Sequence, residues 1–95
     1  MILSIAHASV DDPGAAYIYG AWSNIAVGER PDGLVDCYLS QGDREIHMVS
    51  IWQSAEHHDR ALEDRSTHPT FGFFAACGLD PTHVVYNVVG RLGGA

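Results

Sequence analysis

Apolar and polar residues alternate in four stretches of this chain and recur every three or four positions in two others. The first alternating run, Ile2 to Ala8, puts Leu3, Ile5 and His7 on one side and Ile2, Ser4, Ala6 and Ala8 on the other. Leu34–Ser40 and Ile46–Gln53 read as two more strands. The polar, Gly-containing connector Gln41-Gly42-Asp43-Arg44-Glu45 joins them as a hairpin. The last run extends from His83 to Leu92, with Val84, Tyr86 and Val88 opposing Val85, Asn87 and Val89. Between the first two strands, Ala15, Ile18, Trp22 and Ile25 form a helical stripe. Asp12-Pro13 predicts its start through a carboxylate N-cap and a proline that loses no helical hydrogen bond. Gly28 predicts its end near Val27. Ser54 predicts the cap of a second helix, Ala55 to Arg65, with Ala55, His58, Ala61, Leu62 and Arg65 inward. Ser66-Thr67-His68-Pro69 interrupts it, and a short helical turn over Phe71, Phe74 and Ala75 runs on to Gly78.

The order β-α-β-β-α-β is the split βαβ arrangement: an α+β, ferredoxin-like fold with a four-stranded antiparallel sheet and its helices on one face. Residues 1–92 form one domain and 93–95 a flexible tail. Both faces of the third and fourth strands carry apolar side chains, so the helix-free face also needs cover. A second copy of the chain supplies it most economically, since twofold homodimers dominate soluble oligomers. Length argues the same way, because a chain of 95 residues buries only about 60–65% of its unfolded surface when alone.

Charge narrows the partners. Twelve acidic residues face five arginines, with no lysine, for a net charge of −7. Such a chain has no cationic stripe for nucleic acid and is repelled by an anionic membrane. The opening MILSIAHASV lacks the basic flank of a signal peptide, and no run is long enough to span a bilayer. Cys37 and Cys77 lie outside any CxxC pattern and read as reduced thiols, which suits the cytoplasm.

Gly33-Leu34-Val35-Asp36-Cys37-Tyr38-Leu39, followed by Ile46 to Ser54 with its Trp52-Gln53-Ser54 ending, resembles the antibiotic biosynthesis monooxygenase-like proteins of the dimeric α+β barrel superfamily. The resemblance covers the chain by element order and Gly33 to Leu62 by local pattern. It implies a homodimer with a pocket between helices and sheet in each subunit. Some members oxidise aromatic polyketide phenols or quinols with O2 and no metal or flavin, others degrade haem, and still others are isomerases or have no known activity. The fold does not choose among these.

The resemblance places Trp52 at a pocket wall, where an indole offers a flat apolar surface and one N–H donor. A residue of this size also fills core. His58, six residues after Trp52, stands where phenol-oxidising relatives have Tyr. An imidazole there is either a base for a phenolic proton or a bonded core group. Ile18, Trp22, Leu62 and Phe74 complete the expected apolar lining. His57 lies about 100° around the helix and reads as surface. His7 and His47 come together if the first and third strands pair, but two histidines alone make a weak metal site. His68 reads as the cap of the last helical turn, and Tyr17, Tyr19, Asn24 and Tyr86 as candidate polar additions to the pocket. The haem-degrading branch requires an Asn in the first strand, a second Trp in the second helix and a later axial His. Here stand Ser4 and His7, then Arg60 and Ala61, then His68 about three positions early. The sequence thus points to a cofactor-independent oxygenase for a small aromatic, with His58 and Trp52 as catalytic candidates and neither cofactor nor metal. The alternative is a non-catalytic or structural member that binds a small apolar ligand.

Overall fold

The computed structural model describes residues 1–65 and 68–93. The elements run β1 (Ile2–Ser9), α1 (Ala16–Ala26), β2 (Leu34–Gly42), β3 (Glu45–Trp52), α2 (Ala55–Leu62), α3 (Pro69–Ala76) and β4 (Thr82–Asn87). The strands form one antiparallel sheet in the order β2-β3-β1-β4. This is the α+β, ferredoxin-like topology expected from the pattern. Among the described residues three helices cover one face, because the second helical segment divides into α2 and α3.

The alternation in β1 and β3 decides which side faces the helices. Ile2, Ser4, Ala6 and Ala8 are buried, as are Ile46, Met48, Ser50 and Trp52. The intervening residues are half-buried on the open face. Small side chains at Ala6, Ala8 and Ala21 let Ile18 of α1 and Phe73 and Phe74 of α3 pack close to the sheet. On the open face, β1 and β3 pair Leu3 with Ile51, Ile5 with Val49 and His7 with His47. Tyr38, Val84 and Tyr86 extend this apolar surface on the edge strands and are exposed.

Two turns depend on backbone conformation. The β2–β3 hairpin closes over Asp43-Arg44, tighter than the five-residue connector expected, with Arg44 at φ 58°. Gly33, at φ 84°, turns the chain into β2, and its carbonyl accepts from Gln53 N–H at 2.8 Å. An added Cβ there would lie 2.4 Å from His57 ring carbons. His57 is therefore no plain surface residue: its half-buried ring covers Gly33.

Three boundaries differ from the sequence reading. Helix α1 starts at Ala16 with Ala15 at the N-cap position, whereas Asp12 Oδ1 accepts from Gly14 N–H at 3.0 Å and closes a local turn instead. Helix α2 ends at Leu62 rather than Arg65, and the interruption at Ser66-Thr67 lies outside the described residues. Strand β4 ends at Asn87, opposite Ile2, where β1 begins; one further bond, Val88 N–H to the Met1 carbonyl at 3.0 Å, closes the pairing. Of the tail, Gly94 and Ala95 lie outside the described residues.

Candidate functional site

Three imidazoles cluster beneath the helices, two of them, His58 and His68, against Trp52 and the third, His83, against His58. The side chain of Ser54 accepts from His57 N–H and caps α2, which places His58 one turn in, facing the sheet. His68 caps α3: its Nδ1 accepts from Thr70 N–H at 3.2 Å, as its position before Pro69 suggested. His83 enters from β4, where pairing with Ala6 turns it to the helix-covered face. Trp52 is fully buried. Its ring centroid lies 5.4 Å from His58 and 5.2 Å from His68. His58 is 5.6 Å from His68 and 5.7 Å from His83. Phe71 closes the cluster, 5.0 Å from His68 and 5.1 Å from His83, with the Arg65 guanidinium 4.2 Å over its ring.

The polar atoms of this cluster are unevenly satisfied. Ser4 Oγ and His83 Nε2 are 2.6 Å apart. Trp52 Nε1–H donates to Ser50 Oγ at 2.9 Å, so the donor expected to meet a ligand is already engaged with its own strand. By contrast, the buried His58 Nε2, His68 Nε2 and Thr70 Oγ1 have no hydrogen-bond partner among the described residues. Each such atom costs about 1–3 kcal/mol of unreturned desolvation.

Burial also sets protonation. It pushes the His68 imidazole down to about 4, helped by His58, His83 and Arg65 nearby. Burial lowers His58 too, opposed by Asp59, and lowers His83 with help from His58 and Arg65. At neutral pH the three imidazoles are uncharged, and the two buried ones each have an unused ring nitrogen.

Beside the cluster, a cleft of about 850 Å³ opens between the end of α1, the following loop and β2. Trp22, Ile25, Leu34, Cys37 and Pro69 line it, with Arg30 among its charged residues. Leu34 is the cross-strand partner of Trp52, and Pro69 follows His68, so cleft and cluster share a wall. Of the expected lining residues, Trp22 borders this cleft and Phe74 a smaller one of about 270 Å³ beside Phe71. Ile18, Leu62, Trp52 and His58 border neither. Ile18 is core, and the space beneath Trp52 is filled by the imidazoles. Asn24 reaches the larger cleft, whereas Tyr17, Tyr19 and Tyr86 are exposed. Sequence reasoning missed His83, Ser4 and Ser50, because only the register of β4 and β3 on β1 brings them together.

Two further groups are notable. His7 and His47 stack on the open face at 5.2 Å, with His47 Nε2 3.1 Å from Glu45 Oε1. Among the described residues, no group of three His, Cys, Asp or Glu is arranged to hold a metal. Both cysteines are free. Burial pushes the Cys37 thiol up to about 11 despite Arg30, and its Sγ lies 3.4 Å from Met48 Sδ. Among the described residues, no helix is long and apolar enough to cross a membrane.

No protein-family model and no curated protein sequence matches the chain. Solved structures do. A Deinococcus radiodurans protein assigned to the antibiotic biosynthesis monooxygenases superposes with a TM-score of 0.73 at 13% identity, covering 100% of this chain and 99% of that one. SnoaB, a cofactor-independent oxygenase from Streptomyces nogalater, gives 0.71 at 19% identity, covering 98% and 97%. A single-site mutant of MhuD, with two manganese protoporphyrin IX molecules bound per active site, gives 0.63 at 16% identity, covering 99% and 100%. The chain thus has the fold of the antibiotic biosynthesis monooxygenases, as its local pattern suggested, in a group of structures whose ligands differ.

Proposed function

We propose that this chain is a cytoplasmic, cofactor-independent oxygenase that works as a homodimer on a small aromatic: a phenol, a quinol or a polyketide intermediate. The observation that carries this reading is His58 Nε2, a buried and unpartnered base beside the Trp52 ring, one wall away from a cleft of substrate size. Trp22 and Leu34 offer flat and apolar surface to the ring, and Trp52 backs the reacting end. Ile18 and Phe74 support these walls from the core, and Leu62 from α2.

In such a reaction the substrate hydroxyl has to pass the wall between cleft and cluster, where His58 Nε2 takes its proton and leaves a phenolate rich enough in electrons to pass one to O2. Radical and superoxide combine into a carbon–oxygen bond, and His58 returns the proton to the terminal peroxide oxygen. Loss of the remaining hydrogen on that carbon, with breakage of the O–O bond, gives a carbonyl and one water. The balance is one CH2 and one O2 in, one C=O and one H2O out. Neutrality suits His58 to this task, since a charged imidazole could not accept the first proton.

Haem fits poorly. The cleft with room for a large ring has no histidine in its lining, and its Cys37 is a thiol rather than a thiolate. The dimer reading is supported by the open sheet face, where Leu3, Ile5, Val49, Ile51, Val84 and Tyr86 form a continuous apolar surface. A copy packed there would bury on the order of 2,000 Å².

The test is His58→Phe against an anthrone-type substrate. Turnover should fall by about 100-fold or more with fold and dimer unchanged. Undiminished turnover removes His58 from the mechanism. No turnover by the parent protein across phenols and quinols leaves a binding protein instead.

A further inference from the structure

Helix capping fixes the tautomer of His68. A backbone N–H can only donate, so the bond from Thr70 N to His68 Nδ1 requires a lone pair on Nδ1. A neutral imidazole has one N–H, which must then sit on Nε2. His68 is neutral at physiological pH, because burial holds it near 4. That Nε2–H is buried, in a residue 1% exposed, and has no acceptor among the described residues. The first turn of α3 therefore holds a donor aimed at an oxygen that the fold does not supply.

His58 is the complement. Its Nε2 is likewise unpartnered, and its ring stands perpendicular to that of His68. The centroids are 5.6 Å apart, so the two rings meet edge to face. A hydroxyl that accepts from His68 and gives its proton to His58 satisfies both orphaned nitrogens at once. Thr70 Oγ1, the third unpartnered atom, lies on the same turn. One fixed donor beside an imidazole nitrogen that accepts in its Nδ1–H tautomer fits a neutral hydroxyl better than a carboxylate, which has no proton to give.

We propose that His68 binds the hydroxyl oxygen of a phenol or enol through its Nε2–H and stabilises the oxyanion that forms when His58 takes the proton. This rests on the oxygenase reading and adds a second substrate contact to it. His68 does not move a proton; it holds negative charge on the oxygen, where a hydrogen bond to an ion is stronger than one to a neutral group.

Two measurements test it. Nitrogen NMR of the parent protein at neutral pH should show His68 as the Nε2–H tautomer; an Nδ1–H or charged His68 overturns the proposal without any variant. The second uses 4-nitrophenol, whose phenolate absorbs visibly, titrated with parent protein and with His68→Asn. Asparagine also accepts at an N-cap, so α3 keeps its start while the Nε2–H is lost. The parent should bind the phenolate and lower the apparent pKa of the bound phenol. His68→Asn should weaken phenolate binding by about 10-fold or more and return that pKa towards its solution value. Equal binding by both proteins overturns the donor role, and so does an unshifted phenol in the parent. Turnover of anthrone-type substrates that ignores His68 leaves the oxygenase and removes the donor. His68-dependent phenolate binding without turnover removes the oxygenase and leaves the donor.

Discussion

Lowering the pH from about 7 towards 5 charges histidines wherever they meet water, and this fold buries two of them, His58 and His68, and shields His83 in part. For His68 the imidazole sits at about 4 in the fold against an ordinary 6.5. The unfolded chain therefore binds the proton more strongly. Stability from this group is fully present above about pH 6.5, falls as pH drops through the interval, and levels off below about 4. A tenfold change in proton affinity is worth about 1.4 kcal/mol, so full titration withdraws about 3 kcal/mol and acidification to pH 5 about 2. His58 and His83 are lowered in the same direction and add to the loss. Small domains hold only about 5–15 kcal/mol in total, so the effect is large. Urea unfolding at fixed protein concentration reads it, between about pH 7 and 5, where most carboxylates stay ionised. The urea midpoint should fall steeply in the parent. In His68→Asn the decline should be shallower by about 1 kcal/mol per pH unit. A parent midpoint that stays level across this window refutes the reasoning, as does an identical slope in the variant.

Three other outcomes follow from the architecture. Val84→Glu puts a charge on the open face of β4 and should turn a dimer seen by sedimentation at micromolar concentration into a monomer; a monomeric parent, or an intact dimer in the variant, rejects the sheet-to-sheet interface. Gly33→Ala forces a left-handed conformation on a residue with a Cβ and drives that atom into the His57 ring, so thermal unfolding should show a loss of more than about 1 kcal/mol. Ser54→Ala removes the cap of α2 and should cost about 1 kcal/mol in the same assay.

Some of this is legible in the residues because its period is short. Alternation in β1 and β3 places Trp52 on the helix-covered face, and Ser54 and His68 announce their caps by type and position. Helix α3 is longer than the short turn expected because Pro69, Thr70, Phe73 and Phe74 are all buried, and an element that is apolar all round shows no stripe. The valines after Asn87 mislead because β propensity does not reveal where the neighbouring strand stops. Asp12 misleads because its carboxylate can close a turn as readily as it can cap a helix. The site is the least legible part. His83 is 25 residues from His58 in sequence, and its place beside that ring depends on a register no local pattern encodes. Nor does any pattern tell that Trp52 spends its N–H on Ser50.

Oxygen chemistry puts nearby sulfur at risk, which gives the Cys37–Met48 contact a meaning beyond packing. Cys37 borders the cleft through which a substrate and O2 would pass. Peroxide attacks the thiolate, and with the thiol pushed up to about 11 only about one molecule in ten thousand carries that form at pH 7. Its sulfur touches a thioether that is itself fully buried. Peroxide escaping from the proposed reaction would thus meet a cleft wall whose one sulfur among the described lining residues, that of Cys37, is held as the thiol, short of the first rung of oxidation from thiolate to sulfenic acid. In the proposed oxygenase the same burial would lengthen the working life of the protein, counted in turnovers before self-inflicted damage.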